Sequence, residues 1–214
     1  MSELKKDCNF CKIAEATNEH KDNKLPFVDR PLFSSKNFFL LQAKHAVNDG
    51  HLLLVTIKHY YSLADLSVKE FEEFKFTLGK IQKITDKLFG KFSIFEHGMV
   101  PNSVSQCVEH AHWHILPTEG KVARFLSEKF KLVSLYETLD DAYNNLLPPY
   151  ILLREDGEEW HYYKIIDSIP SQYVCRLYAK ILGKKESSWL KSNTDDSKYK
   201  NNWEKLRKEF NQCN

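Results

Sequence analysis

Alternating apolar and polar stretches predict an antiparallel sheet in the first half of the chain. Residues 32–43 contain the apolar run F-F-L-L and predict a strand, and residues 51–57 are a near-continuous apolar run that predicts a buried one. The sequence Asn48-Asp49-Gly50 between them has the composition of a tight turn. We therefore expect these two strands to pair antiparallel. Residues 91–96 predict a further strand of the same sheet.

A single long helix is predicted between these strands. The sequence Ser67-Val68-Lys69-Glu70 is a capping-box pattern. Behind it, apolar residues recur every three or four positions with charged residues between them, up to Gly90. This spacing predicts an amphipathic helix with one buried face that ends near Gly90.

The segment 108–117, V-E-H-A-H-W-H-I-L-P, predicts a strand with an unusual face. His110, His112 and His114 occupy every second position, so on a strand all three would point the same way, about 7 Å apart. A buried sheet face has no packing need for three imidazoles, because each ring nitrogen requires a partner. We therefore interpret the series as a functional site rather than a structural accident.

The second half of the chain has a different pattern. Residues 121–145 predict helical or irregular structure, whereas 150–153 and 160–166 predict a hairpin around Asp156-Gly157. Pro170 is expected to open a helix that runs through Leu182 and is capped by Gly183.

The C-terminal end predicts a polar, mobile segment at 191–202 and then a final short helix containing Trp203, Leu206 and Phe210. There is no linker between the halves. The expected fold class is therefore α+β: an antiparallel sheet with a long helix in residues 1–120, and an α/β extension in residues 121–214 packed on it.

Composition and charge narrow the function classes. The chain is 42% hydrophobic and 28% charged, with a net charge of +2, which is typical of a soluble globular protein and gives no global reason to bind membranes or nucleic acid. No apolar run approaches the roughly 20 residues of a membrane span, and the N-terminus lacks the apolar core of a signal peptide. The five cysteines are scattered, which indicates a reducing compartment, and we expect a cytoplasmic protein.

Two of those cysteines form a C-x-x-C motif, Cys8-Asn9-Phe10-Cys11. This spacing is typical of half a zinc site or of a redox pair. A thioredoxin-like redox motif follows a strand, and no strand precedes this one, so zinc is the favoured interpretation. Two cysteines with no metal role are the alternative. A tetrahedral site would need two further ligands, which histidines elsewhere in the chain could supply.

Two chemistries could use the aligned histidines. One is a metal site, because alternate histidines on a strand can share an ion. The other is nucleophilic catalysis at phosphorus, in which one neutral imidazole attacks and its neighbours stabilise charge.

At these residues the chain resembles the histidine-triad (HIT) superfamily of nucleotide hydrolases and transferases. The resemblance begins with Gln106-Cys107-Val108-Glu109 and continues through His110-Ala111-His112-Trp113-His114-Ile115-Leu116. Residues 8–13 resemble the zinc-bearing N-terminus of that superfamily. Gly50-His51-Leu52-Leu53-Leu54-Val55, followed by Lys58-His59, resembles its Gly-His segment. The C-terminal half is similar, more weakly, to the extension of some HIT-like proteins.

The resemblance implies a mechanism. His112 would be the nucleophile that attacks the α-phosphorus of a nucleotide and forms a nucleotidyl-histidine, which water then hydrolyses. The backbone carbonyl of His110 would hold the other ring nitrogen of His112. His114 would donate to the phosphate oxygens or to the scissile bridge. The implied catalytic residues are therefore His112, His114 and His110.

The resemblance also implies a structural zinc ion that takes no part in the phosphorus chemistry. Its ligands would be Cys8, Cys11, His59 and His110. His51 would support the active site rather than bind the metal. No catalytic cofactor is expected.

Several positions depart from the HIT pattern. Ser105 stands where glycine is usual, Cys107 where a phosphate-binding serine is frequent, and Glu96 where an asparagine is usual. The acidic residue that often binds the ribose is replaced by Ala43. The phosphorus chemistry therefore transfers to this chain better than the recognition of a ribose. The expected substrate-binding residues are Gln106, Cys107, Ser105, Glu96 and His51.

These observations predict a nucleotide phosphohydrolase or nucleotidyltransferase of the dinucleoside polyphosphate or phosphoramidate class. By resemblance we also expect a homodimer. The expected small-molecule partner is a nucleotide or another phosphate ester. A zinc-stabilised nucleotide-binding or interaction module with little turnover is the alternative. A metal enzyme that uses all three histidines is a third interpretation.

Overall fold

An eight-stranded antiparallel sheet organises the chain. The computed structural model describes residues 5, 7–101, 108–185 and 197–212. The strands are β1 (Phe33–Ser34), β2 (Phe38–Gln42), β3 (Leu52–Thr56), β4 (Phe92–Gly98), β5 (His112–Pro117), β6 (Lys131–Tyr136), β7 (Tyr150–Arg154) and β8 (Trp160–Lys164). Their order across the sheet is β1-β2-β3-β5-β4-β7-β8-β6, and every pairing is antiparallel.

Six α-helices flank this sheet in the described part of the chain. They are α1 (Asn9–Asn18), α2 (Val68–Phe89), α3 (Ala123–Lys129), α4 (Leu139–Tyr143), α5 (Tyr173–Ile181) and α6 (Ser197–Gln212). The predicted α+β class, with an antiparallel sheet, a long helix and a C-terminal extension, is confirmed. Within the described ranges, no helix has the length and apolar character needed to cross a membrane.

Local sequence signals account for the first elements. The backbone N–H of Glu70 donates to Oγ of Ser67 at 3.4 Å, and the N–H of Ser67 donates to Oε2 of Glu70 at 2.9 Å, so the predicted capping box begins α2. The turn between β2 and β3 contains Gly50 at a φ of +74°, a backbone conformation that favours glycine. These two signals set the long helix and the first hairpin.

The C-terminal extension continues the same sheet. β4 pairs with β5 on one side and with β7 on the other, so that Phe95 lies opposite both His114 and Leu153. β8 and β6 then extend the sheet outward. The extension is thus joined to the first half by backbone hydrogen bonds, and the division at residue 120 stays a prediction.

Each face of the sheet has its own core. On one face, α2 and α6 pack against Trp113 and Ile115 of β5. On the other face, α3 and α5 pack against residues that include Phe95 and Leu116. Burying one such side chain contributes about 1.5–3 kcal/mol, so both faces are strongly specified. Because side chains alternate along β5, His112 and His114 belong to the second face.

Three expectations for the second half were wrong. The segment 121–145 contains β6, which forms because its residues pair with β8. Helix α5 begins at Tyr173 rather than at Pro170, since Gln172 has a left-handed φ of +57° that the helix cannot include. The final helix is longer than expected and begins at Ser197, inside the segment expected to be mobile, because Tyr199 is buried against Gln42.

Candidate active site and metal site

Two of the three aligned histidines share strand β5. His112 and His114 lie on its face towards α5, whereas His110 precedes the strand in a backbone bend. The expectation that all three share one strand face was therefore wrong. The bend forms because the N–H of Ala111 donates to the carbonyl of Tyr60 at 2.7 Å, which takes the chain out of the ladder before His112.

His112 has the tautomer that a nucleophile requires. Its Nδ1 lies 2.6 Å from the backbone carbonyl oxygen of His110. A carbonyl can only accept a hydrogen bond, so Nδ1 carries the proton and Nε2 carries a lone pair. Burial lowers the pKa of His112, which keeps the ring neutral at neutral pH.

His114 has the opposite tautomer, set by a chain of hydrogen bonds through His51. The N–H of Val47 donates to Nδ1 of His51 at 3.2 Å, so His51 carries its proton on Nε2. That Nε2 lies 3.0 Å from Nδ1 of His114 and donates to it. The remaining nitrogen of His114, Nε2, therefore carries a proton. Burial lowers the pKa of His51 to about 3 and holds that of His114 well below its usual range, so both rings are neutral.

A cavity opens over these histidines, and its walls come from both halves of the chain. Phe95 stacks on His114 with ring centroids 4.5 Å apart. The ring centroids of Phe10, in α1, and His112 are 5.3 Å apart. The extension supplies the opposite wall, residues 171–175. Its Cys175 has Sγ 3.8 Å from Nδ1 of His114. The extension thus lies directly over His112 and His114.

Among the expected substrate-binding residues, Glu96 is placed away from this cavity. It is fully buried on the opposite face of the sheet. Its Oε1 accepts the N–H of Leu63 at 2.8 Å, and its Oε2 lies 2.5 Å from the hydroxyl of Tyr150. Burial raises the pKa of Glu96 to about 8. His51, in contrast, lines the cavity and donates to His114, and its supporting role stays a prediction.

The sequence analysis missed several cavity residues, of which His97 and Asp29 are two. His97 lines the cavity from β4, beside the Glu96 that was singled out. Strand alternation puts His97 on the same face as Phe95, but only the pairing of β4 with β5 shows that this face lines the cavity. Asp29 lines the wall that also holds Ala43, and Nζ of Lys44 lies 2.7 Å from its Oδ1. No local signal marks Asp29, which is the last residue of a 3₁₀ helix at Phe27–Asp29.

The remaining expected contacts, Ser105, Gln106 and Cys107, lie outside the described residues. Their roles in substrate binding stay predictions.

A second cluster brings together the four side chains expected to bind zinc. Cys8 Sγ lies 3.4 Å from Nδ1 of His110, and Cys11 Sγ lies 3.2 Å from Nδ1 of His59 and 3.6 Å from Nδ1 of His110. All four ligand atoms lie within 4.8 Å of one another. Tetrahedral zinc bonds of 2.0–2.3 Å place ligand atoms about 3.3–3.8 Å apart, so these three sulfur–nitrogen distances are compatible with a zinc site.

Hydrogen bonding around the cluster also fits a cation. Nε2 of His110 donates to the carbonyl of Thr56 at 2.8 Å, which leaves the lone pair on Nδ1, towards the two sulfur atoms. Burial raises the pKa of the Cys11 thiol to about 11, and a bound divalent cation would reverse that preference because coordination deprotonates a thiol. The Cys/His cluster is therefore compatible with zinc. A single ion shared by all three aligned histidines does not fit, since His110 faces the cysteines.

Comparison with known proteins finds a family match for one segment of the chain. Residues 29–121 match the HIT domain family. No curated protein matches the chain in sequence. The matched segment contains strands β1 to β5 and helix α2, together with His51 and the three aligned histidines. It leaves out Cys8, Cys11 and the extension.

Several solved structures are similar to this chain. One is a histidine triad protein from Clostridium difficile, with 27% identity, a TM-score of 0.41, and coverage of 56% of this chain and 96% of that chain. Another is a HIT-like protein involved in cell-cycle regulation from Bartonella henselae, with 20% identity, a TM-score of 0.43, and coverage of 56% and 85%. A zinc-bound histidine triad family protein from Mycobacterium smegmatis has 18% identity, a TM-score of 0.42, and coverage of 54% and 78%.

Proposed function

This chain carries a histidine-triad (HIT) domain at residues 29–121, and from that premise we propose that it is a nucleotide phosphohydrolase or nucleotidyltransferase that works through His112. The observation that carries the proposal is the hydrogen bond from Nδ1 of His112 to the carbonyl of His110. It leaves a lone pair on Nε2 of a neutral ring in the cavity wall, which is what attack on phosphorus requires.

The opposite tautomers of His112 and His114 support a two-step mechanism. In the first step, Nε2 of His112 attacks the α-phosphorus, an N–P bond forms, and the bond from phosphorus to the leaving group breaks with its electron pair. The Nε2–H of His114 donates to the phosphate or to the leaving atom. Positive charge that develops on His112 is stabilised by the carbonyl of His110.

In the second step, water attacks the phosphorus and the N–P bond breaks. His112 recovers its lone pair, the attacking water loses a proton to solvent, and a nucleoside monophosphate is released. A transferase would use another hydroxyl or phosphate acceptor in place of the water. Dinucleoside polyphosphates and nucleoside phosphoramidates are the proposed substrate class.

The zinc ion would have a structural role. Cys8, Cys11, His59 and His110 would supply four protein ligands, a complete set typical of structural zinc. The ion would supply no reacting group. Coordination of the His110 ring would fix the position of this residue, whose backbone carbonyl orients His112.

The homodimer stays a prediction. β4 is paired on both sides within the chain, so a second copy that extended the sheet would have to add at β1 or β6, its outer strands. The nucleotide is the proposed small-molecule partner.

A trapping experiment tests the proposed function. The protein is incubated with a dinucleoside polyphosphate, a nucleoside phosphoramidate and a nucleotide sugar, then quenched in base, where an N–P adduct survives. Mass spectrometry should find a nucleotidyl group on His112. The adduct should be lost in His112→Asn and kept in His161→Asn, which changes a half-buried histidine on β8 outside the cavity lining.

A second candidate function has one observation in its favour. Ala43 lies in the cavity wall where the superfamily often has its ribose-binding acid. A zinc-stabilised nucleotide-binding module with little turnover would bind nucleotides in calorimetry and give no adduct with any substrate of the panel. That outcome would overturn the enzymatic proposal.

A further inference from the structure

A fourth histidine, His97, stands beside the proposed nucleophile on the neighbouring strand. The pairing of β4 with β5 sets Phe95 opposite His114 and Glu96 opposite Trp113. Continued by one residue, this register places His97 opposite His112. Directly opposed residues of an antiparallel pair have Cβ atoms about 4.5–5.5 Å apart on the same face. Both rings line the cavity.

The hydrogen bonding of His97 indicates which nitrogen can meet a ligand. Its Nδ1 is buried and has no hydrogen-bond partner within the described residues. A buried N–H without an acceptor costs about 1–3 kcal/mol, so the ring is more stable with its proton on Nε2. Burial and the neighbouring His112 lower the pKa of His97 to about 4, which leaves a neutral ring with a single N–H. Since Nδ1 is enclosed, Nε2 is the nitrogen that the cavity can reach.

We propose that His97 is a substrate-contacting residue whose Nε2–H donates a hydrogen bond to a non-bridging oxygen of the phosphorus that His112 attacks. This inference rests on the proposed function and deepens it, because it adds a contact that the motif of three aligned histidines does not contain. Negative charge on that oxygen grows as the N–P bond forms, so the hydrogen bond strengthens in the transition state. His97 and His114 would then act as two donors on either side of the nucleophile.

The geometry also explains why a neutral histidine suits this position. A second cation beside His112 would raise the energy of the positive charge that develops on the attacking ring. A neutral N–H donor stabilises the phosphate oxygen without that repulsion. His97 therefore selects for a phosphoryl group and leaves the base of the nucleotide to other parts of the cavity.

His97→Phe tests this role, since phenylalanine keeps a ring of similar size and removes the donor. The matched control is His161→Phe on β8. The substrate is the compound that gives the His112 adduct, prepared as the two diastereomers of its α-phosphorothioate, in which sulfur replaces one or the other non-bridging oxygen. The measured quantity is the rate of adduct formation in a single turnover. Circular dichroism and the zinc content of each variant report whether it is folded.

Removal of one preorganised donor typically slows a reaction by about 10²-fold, and we expect this loss for His97→Phe with the ordinary phosphate substrate, with little change in KM. The ratio of rates for the two thio diastereomers should also change, because sulfur weakens a hydrogen bond only where His97 makes it. His161→Phe should leave the rate and the ratio unchanged. His97→Gln, which retains an N–H donor, should recover part of the rate.

The possible outcomes separate this inference from the function on which it rests. Adduct formation in the unmodified protein, together with a normal rate and an unchanged diastereomer ratio in His97→Phe, would overturn the role of His97 and leave the function standing. A slower rate with an unchanged ratio would assign His97 a packing role only. No adduct in the unmodified protein would overturn both. If His97→Phe does not fold, the same measurements on His97→Leu, which also removes the donor, decide the question through its diastereomer ratio.

Discussion

The hydroxyl of Tyr150 and Oε2 of Glu96 are joined by a hydrogen bond of 2.5 Å, fully enclosed between β7 and β4. It connects the C-terminal extension to the HIT domain beneath the proposed active site. The strand that carries Glu96 also carries His97 on its other face, so the packing of this pair sets the position of the cavity wall.

Stability should depend on pH through Glu96. Burial raises its pKa from an ordinary value near 4.5 to about 8. Between those values the native state holds a proton that the unfolded state has released, so the contribution of Glu96 to the free energy of unfolding falls as the pH rises from about 5 to 8.5. Urea denaturation at pH 6 and at pH 8.5 measures the change. In Glu96→Gln, which cannot ionise, the fall should be markedly smaller, and an equal fall in both proteins would contradict the assignment.

Two glycines with different surroundings should respond in opposite ways to substitution by alanine. Gly98 lies where β7 approaches β4 closely, whereas Gly79 has open space around it. A Cβ atom on Gly98 would lie 2.6 Å from Cε2 of Tyr150, so Gly98→Ala should destabilise the fold by about 1–3 kcal/mol. Gly79 lies in α2 with nothing within 4 Å of its Cβ position, and Gly79→Ala should stabilise by about 0.5–1 kcal/mol. Thermal unfolding of the two variants makes the comparison. A stable Gly98→Ala protein would show that the Tyr150 ring can move aside.

The zinc content of the protein should fall when Cys11 is replaced and stay unchanged when Cys175 is replaced. Cys11→Ser removes a ligand from the four-residue cluster, so we expect loss of the bound ion and a lower unfolding temperature, at about 2–4 °C for each kcal/mol lost. Cys175→Ser, at the cavity, should retain the ion. Elemental analysis and calorimetry measure both effects. Full adduct formation by a zinc-free, folded protein would contradict a structural role for the metal.

His51 should act as a positioning residue. His51→Phe removes the N–H that donates to Nδ1 of His114, so the proton of His114 is no longer held on Nε2, and we expect adduct formation to slow by about 10²-fold. His51→Gln, which keeps an N–H donor, should recover part of that rate. The pH profile should change in His51→Phe, because His114 would titrate more easily without its partner. Unchanged rate and profile in His51→Phe would argue against the hydrogen-bond chain.

Much of the site was predictable from local patterns. The HIT superfamily was recognised from the histidine series and the Gly-His segment, and the match over residues 29–121 confirms that recognition. The capping box predicted the start of α2 because its hydrogen bonds join residues only three apart. The shared face of His112 and His114 follows from the two-residue period of a strand.

Other features could not be predicted, because they depend on contacts between distant parts of the chain. Glu96 was interpreted as a site residue, although strand register turns it towards Tyr150 and turns His97 towards the cavity. β6 was missed because it exists through its pairing with β8. The break between His110 and His112 depends on the hydrogen bond from Ala111 to Tyr60.

The sequence by itself determined the kind of chemistry. Residue types at fixed spacing specify imidazoles on one strand face, a pair of cysteines suited to a metal, and the helix and hairpin near them, all through interactions of short range. Only the tertiary structure decided which groups surround that chemistry. Because β7 pairs with β4, the extension joins the sheet and places residues 171–175 over His112 and His114. Such long-range pairing depends on the packing of the whole chain, which no local pattern encodes.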